Sequence, residues 1–127
     1  MRYPSVIVGL ALSLSACASG GFSPTPGSGF SRDVITREEI AASDQTNAYD
    51  AIRDLRPRWI RQQSLTVYLD GALAAGGREA AGPQGVNFLR TLSASSIQEL
   101  SFLDEQRASM RYGMGMGAVI QVITTRR

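Results

Sequence analysis

The fold of this chain is decided by residues 96–126, which read SIQELSFLDEQRASMRYGMGMGAVIQVITTR. The β-prone segment Ile97–Leu103 predicts a strand, and Asp104 after it is a favoured cap for a helix. Gly113 predicts the end of that helix because glycine suits the left-handed backbone of a C-cap. Residues 119–125 are the most β-prone run of the chain. The stretch therefore predicts a strand, a short helix, a glycine-rich bend and a closing strand.

Capping signals define two helices earlier in the chain. Thr36 and Glu39 have the spacing of a capping box, which predicts a short helix after a strand that includes residues 33–35. Thr46 or Asn47 then caps a second, amphipathic helix. We expect that helix to end before Pro57, because the residue ahead of a proline avoids the helical region.

The middle of the chain alternates between the two kinds of element. Leu65–Leu69 predicts a strand, and Asp70-Gly71 directly after it is a turn signal. Residues 74–85 predict a flexible loop, and residues 86–92 predict a short helix. The whole pattern predicts an α+β fold, in which short helices cover a small mixed β-sheet.

The N-terminus has the features of an export signal. Arg2 precedes nine mostly apolar positions, residues 6–14, which are too short to span a bilayer that needs roughly 20 residues. Leu-Ser-Ala-Cys at residues 14–17 resembles the lipobox of bacterial lipoprotein signal peptides. The resemblance implies cleavage before Cys17 and attachment of a diacylglycerol and an acyl chain such as palmitate. The alternative is an ordinary secretory signal with a chance cysteine at its cleavage site.

Three segments follow from this interpretation. Residues 1–16 are the predicted signal peptide, and residues 17–31 are the lipidated Cys17 and a linker rich in glycine, serine and proline, a composition that predicts a disordered tether. Residues 32–127 form the predicted domain. No aspartate follows Cys17 directly, which by resemblance to bacterial sorting rules predicts the outer membrane. We expect the periplasmic face, with exposure at the cell surface as the alternative.

Composition argues against several classes of function. Removal of residues 1–16 takes away only Arg2, so 12 of the 13 arginines face 11 acidic residues, a balance that gives no electrostatic case for nucleic-acid binding. The chain has no histidine, which removes the usual acid–base group at neutral pH and the commonest metal ligand. We therefore expect no enzyme, no metal site and no cofactor.

Two further motifs were considered, one for phosphate binding and one for acid–base catalysis. The segment Tyr-Gly-Met-Gly-Met-Gly, residues 112–117, lacks the ending of a phosphate-binding loop and leads into a strand rather than a helix. Asp70, Asp104, Glu99 and Glu105 are carboxylates that could pair in acid–base catalysis. Turn formation by Asp70, capping by Asp104 and solvation of Glu99 are the simpler interpretations.

One dense basic and aromatic segment has two interpretations. Arg56, Arg58, Trp59 and Arg61 are predicted binding residues, because arginine and tryptophan are common anchors of protein interfaces. In the other interpretation Trp59 closes the core and the arginines are solvated. Tyr112, in the Tyr-Gly turn, completes the set of predicted binding residues.

The part of the chain from residue 34 to residue 126 resembles the plug domain of TonB-dependent outer-membrane receptors. Plugs show a strand and a capped helix like VITREEI (34–40), a helix like AYDAIR (48–53) and a strand ending in Asp-Gly like VYLDG (67–71). The most specific match is the order of strand, short helix, Tyr-Gly turn, glycine-rich bend and final strand within residues 96–126.

The resemblance implies a plug-like fold and a binding role rather than catalysis. A receptor plug lies inside a barrel of about 22 strands, for which this chain has no residues, and no segment resembles a TonB box. We therefore expect a lipid-anchored binding or assembly module, tied to TonB-dependent uptake through an outer-membrane barrel or another envelope protein. The alternative is a structural envelope lipoprotein without a transport role.

Overall fold

The computed structural model of the chain describes residues 31–77 and 83–126. The predicted signal peptide, Cys17 and most of the predicted linker lie outside the described residues. The strands are β1 (Val34–Thr36), β2 (Leu65–Leu69), β3 (Ala72–Ala75), β4 (Ile97–Leu103) and β5 (Ala118–Thr124). The helices are α1 (Arg37–Ser43), α2 (Ala48–Leu55), α3 (Gln84–Thr91) and α4 (Glu105–Tyr112), with two 3₁₀ helices at Pro57–Arg61 and Ala94–Ser96.

The strands form one mixed sheet in the order β1-β4-β5-β2-β3. β5 lies at the centre, antiparallel to β4 and parallel to β2, while β1 and β3 pair antiparallel at the two edges. The predicted α+β class, with a mixed sheet and short covering helices, is confirmed. The closing strand of the chain therefore joins its N-terminal and middle parts into a single sheet.

The capping signals of the sequence operate as predicted. Thr36 Oγ1 accepts the Glu39 N–H and the Glu39 carboxylate accepts the Thr36 N–H, which completes the capping box of α1. Asn47 caps α2 through the Asp50 N–H, and Asp104 caps α4 through the Arg107 N–H. The first turns of these helices thus obtain partners for N–H groups that a helix leaves unpaired.

The prediction of a loop over residues 74–85 was wrong at both ends. Residues 72–75 form β3, which pairs with β2 through a two-residue turn at Asp70-Gly71, and α3 begins at Gln84. Both turn residues have positive φ, 49° and 88°, as a tight hairpin of type I′ requires. β3 reads Ala-Leu-Ala-Ala and lacks β-branched residues, so its pairing with β2, rather than its own propensity, makes it a strand.

The main core lies between one face of the sheet and α1, α2 and α3. Gly85 of α3 comes so close to β2 that an added Cβ would overlap the backbone carbonyl of Leu65. Ala48, Ala51 and Ile52 are the buried residues of α2. The large side chains buried in this core are Ile35, Ile52, Trp59, Val67, Leu89, Ile97, Leu100 and Ile120.

The opposite face of the sheet is covered only in part. There α4 and the bend after it bury a second, smaller cluster of Ala108, Met116 and Val119. Further along β5, Gln121 is half-buried and Ile123 is 46% exposed. The sheet thus leaves an accessible region beside α4 on this face, at the end of β5.

Candidate binding site

Trp59, one of the predicted binding residues, belongs to the core. Its side chain is 0% exposed and stacks on the ring of Phe102 with 5.4 Å between ring centroids. Its indole N–H donates to the carbonyl of Arg32. A buried side chain offers no surface to a partner, so for Trp59 the structure favours the second interpretation, closure of the core.

Arg56 and Arg58 are engaged with other parts of the same chain. Arg56 donates to the Glu39 carboxylate at 2.8 Å, and both side chains of this pair are nearly buried, at 14% and 13% exposure. Arg58 forms an ion pair with Asp33. Arg61 is exposed and has no ion pair within residues 31–77 and 83–126. The binding role predicted for these arginines stays a prediction.

Asp33 joins three elements through its carboxylate. It accepts from Arg58 of the 3₁₀ helix and from Arg107 of α4, and Arg107 also contacts Asp104 at 3.0 Å. Partial burial acts to lower the pKa of Arg107, but the hydrogen bonds and charges of Asp104 and Asp33 raise it overall. The network ties the residue ahead of β1 to α4, on the opposite face of the sheet from α1–α3. Its side chains are more than one-third exposed, so its contribution to stability is modest.

Tyr112, the last predicted binding residue, organises the partly covered face. Its ring stacks on Tyr68 of β2, with centroids 4.2 Å apart and planes 16° apart. The side-chain amide N–H of Gln121 on β5 donates to the Tyr112 hydroxyl. Because Tyr68 and Gln121 are register partners on the parallel strands, Tyr112 holds one side chain from each.

A cleft of about 300 Å³ lies beside this cluster. Two strands and the end of α4 contribute to it, so it combines apolar, amide and charged side chains. The side chains that define its chemistry are Tyr68, Asp70, Arg111, Gln121, Ile123 and Arg126. The volume is at the lower end of the range for small-molecule sites, which is roughly 300–1,000 Å³.

Asp70 stands at one end of the cleft and is held in place by β5. Its carboxylate accepts the Thr124 N–H at 2.9 Å and the Thr124 hydroxyl at 2.6 Å, while its own N–H donates to the Val122 carbonyl. The bonds from Thr124, above all its hydroxyl, hold the pKa of Asp70 below its usual value, with help from the charge of Arg126. Asp70 therefore remains a carboxylate at neutral pH.

The other carboxylates considered for catalysis have local partners or lie exposed. Glu99 accepts the Ser101 hydroxyl, and Glu105 is exposed in the first turn of α4. The backbone N–H of Arg107 lowers the pKa of Asp104, as expected of a capping carboxylate. Among the described residues, no group of three histidine, cysteine, aspartate or glutamate side chains is placed to hold a metal ion.

The glycine-rich bend shapes the approach to β5. Gly113 and Gly115 have φ values of 103° and 84°, a region that suits glycine. Met114 is 83% exposed, whereas Met116 is buried beneath α4. The bend therefore turns the chain from α4 into the central strand and is not the start of a helix.

None of the residues that line the cleft belongs to the predicted binding set, which therefore missed Tyr68, Asp70, Arg111, Gln121, Ile123 and Arg126. Alternation along β2 and β5 could have placed Tyr68 and Gln121 on a common face, but only if the pairing and register of these strands were known. The two strands are distant in sequence, and no local signal gives the register of parallel strands. Arg111 was visible only as the neighbour of Tyr112.

No protein-family model matches this chain, and no curated protein matches it significantly. Among the described residues, no helix is both long and apolar enough to cross a membrane.

Proposed function

We propose that this protein is a lipid-anchored, non-catalytic binding or assembly module of the outer membrane, with a plug-like domain that faces the periplasm. The observation that carries the proposal is the unit formed by β4, α4 and β5. Its strands pair side by side, its helix ends at the Tyr-Gly turn, and the glycine-rich bend leads into the central strand. These are the elements and the order in which residues 96–126 resemble receptor plugs.

Three features of the described residues support a binding role. The face beside α4 is open, it contains a formed cleft, and the aromatic and amide side chains there are held by one another. The carboxylates of Asp70, Glu99 and Asp104 each bond to a structural partner. Such a surface can recognise a ligand or an envelope protein without performing chemistry on it.

The lipid anchor is tested by labelling in the native host. The full chain with a C-terminal tag is grown with a palmitate analogue, and the membranes are separated. We expect a labelled protein in the outer-membrane fraction, and loss of both label and processing in Cys17→Ser. Ser19→Ala, next to the cleavage site, is the matched control and should behave like the parent protein. An unlabelled parent protein would refute the anchor.

The binding role is tested by photo-crosslinking in the same cells. A photoreactive residue replaces Ile123, which is exposed beside the cleft, or Asp54, which is exposed on α2. We expect one recurrent envelope protein or ligand adduct at position 123 and none at position 54. The adduct should weaken when Cys17→Ser releases the protein from the membrane. Absence of any adduct under several growth conditions, including solute starvation, would contradict a binding role.

The second candidate is a structural envelope lipoprotein without a transport role. A deletion strain separates the two. Loss of solute uptake with an intact permeability barrier supports the binding module, whereas increased permeability with normal uptake supports the structural role.

A further inference from the structure

The cleft beside α4 has a rigid floor. Tyr68 is stacked on Tyr112, the Gln121 amide is bonded to the Tyr112 hydroxyl, and Asp70 is bonded twice to Thr124. Each of these contacts joins residues from different elements. Side chains fixed in this way lose little conformational freedom when a ligand binds, which is the condition for a preorganised site.

The two arginines of the cleft, in contrast, have no acidic side chain within ion-pair distance among the described residues. Arg111 and Arg126 form no ion pair with any residue of the described part of the chain, whereas Arg53, Arg56, Arg58 and Arg107 all do. The Arg111 guanidinium lies 5.7 Å from the centroid of the Tyr112 ring, so an aromatic contact orients it. Guanidinium groups at a cleft are suited to bidentate binding of a carboxylate or phosphate.

The net charge of the cleft favours a monoanion such as a carboxylate over the dianion of a phosphate monoester. Two guanidinium cations face one carboxylate, Asp70, which leaves a single positive charge without compensation. That balance suits a monoanion, because a dianion would bring one negative charge too many close to Asp70. The remaining lining includes the aromatic ring of Tyr68 and the exposed side chain of Ile123, which suit a flat or apolar ligand body.

We infer that this cleft binds a small organic monocarboxylate, in which the carboxylate pairs with Arg111 and Arg126 and a planar or apolar body lies against Tyr68 and Ile123. The inference deepens the proposed binding role by naming the ligand class, and it rests on that role but not on the lipid anchor. The Gln121 amide is the hydrogen-bonding group between the two ends of the ligand.

The test uses three probes of nearly equal shape, which are benzoate, benzamide and phenyl phosphate. They carry a single negative charge, no charge, and two negative charges at pH 8. The full chain, purified from its host in detergent, is studied by two-dimensional NMR, with the side-chain amide of Gln121 as the site-specific signal. We expect a saturable shift with benzoate and a Kd of about 1–10 mM, the range for ligands of this size. Benzamide should bind about tenfold more weakly or not at all, and phenyl phosphate no more tightly than benzoate.

Variants locate the binding to the arginines. Arg111→Gln and Arg126→Gln should each weaken benzoate binding about tenfold, as expected when a charge-assisted hydrogen bond is lost. Arg90→Gln is the matched control, since it removes an exposed guanidinium that contacts a tyrosine ring, that of Tyr49, outside the cleft lining, and it should leave the Kd unchanged. Circular dichroism of each variant checks that the fold is retained.

Three outcomes would overturn the inference. The first is no shift of the Gln121 amide with benzoate, and the second is equal binding of benzoate and benzamide. The third is much tighter binding of phenyl phosphate, which would make the site one for phosphate dianions. Failure of the proposed function looks different, since it would appear as absent labelling at Cys17 or absent adducts at position 123 in cells while benzoate still binds to the purified chain.

Discussion

Glu39 combines two roles in one carboxylate. One oxygen accepts the Thr36 N–H at 2.9 Å and closes the capping box, and the other accepts from Arg56 at 2.8 Å. The ion pair is nearly buried, so loss of the carboxylate would leave the Arg56 guanidinium without its acidic partner. A single side chain thus fastens the start of α1 to the end of α2.

Two substitutions separate these roles. Glu39→Gln keeps an oxygen for the Thr36 N–H but removes the charge, and should lower the free energy of unfolding by about 1 kcal/mol. Glu39→Ala removes both interactions and should cost about 2 kcal/mol. Urea unfolding followed by circular dichroism measures both. Asp54→Ala, which removes an exposed carboxylate of α2, is the control, and equal losses for Gln and Ala at position 39 would show that the cap contributes nothing.

Asp70 contributes to the stability of the fold in acid through its bonds to Thr124. Its folded pKa lies below the usual value of 3.8 because of the bonds from Thr124, so it stabilises the fold above that value. This contribution is lost as the pH falls from about 4 through the lower folded pKa. Asp70→Asn should therefore flatten the decline of the unfolding temperature between about pH 4 and pH 2. Asp54→Asn, at an exposed position of α2, should keep the decline of the parent protein, and an equal decline in both variants would contradict the assignment.

At the scale of elements, local signals specify the helix caps, whereas tertiary contacts specify β3 and the cleft. The caps at Thr36, Asn47 and Asp104 were predictable because each depends on a side chain and a backbone group three residues away. β3 was not predictable, because an alanine-rich segment becomes a strand here only through its partner β2. The cleft was hidden for the same reason, since its residues meet only when β2 and β5 pair.

The close packing of α3 on β2 requires a glycine at position 85. A Cβ at position 85 would overlap the Leu65 carbonyl, which is backbone and cannot rotate away. Gly85→Ala should therefore push α3 from the sheet, and the cost of overpacking should exceed the gain of about 1 kcal/mol in helix propensity. We expect a net loss of about 1 kcal/mol in urea unfolding. Asn87→Ala, exposed in the same helix, should change stability by less than about 0.5 kcal/mol, and a more stable Gly85→Ala would show that the contact can relax.

At the scale of the whole molecule, β5 holds the domain together. It is the C-terminal strand but lies at the centre of the sheet, between β4 and β2. The domain cannot complete its sheet or its main core until this last strand is in place. β1 and β3, in contrast, pair on one side only with other strands of the sheet.

Hydrogen exchange tests this arrangement. Amide protons of β4 and β5 should exchange most slowly, by global unfolding, whereas those of β1 should exchange faster through local opening at the edge. The measurement is exchange of the full chain followed by NMR or mass spectrometry. Protection of β1 equal to that of β5 would mean that the sheet opens only as one unit.

Local patterns were enough to predict the α+β class, the limits of β4 and the caps of three helices, because periodicity and capping act over a few residues. The strand order, the existence of β3, the burial of Trp59 and the cleft between Tyr68, Arg111 and Arg126 arise only when the chain has folded. Those features depend on which distant segments pair and in what register, and on the space left between them. Strand pairing and register are set by the free energy of the whole chain, so the sequence of a single segment does not reveal them.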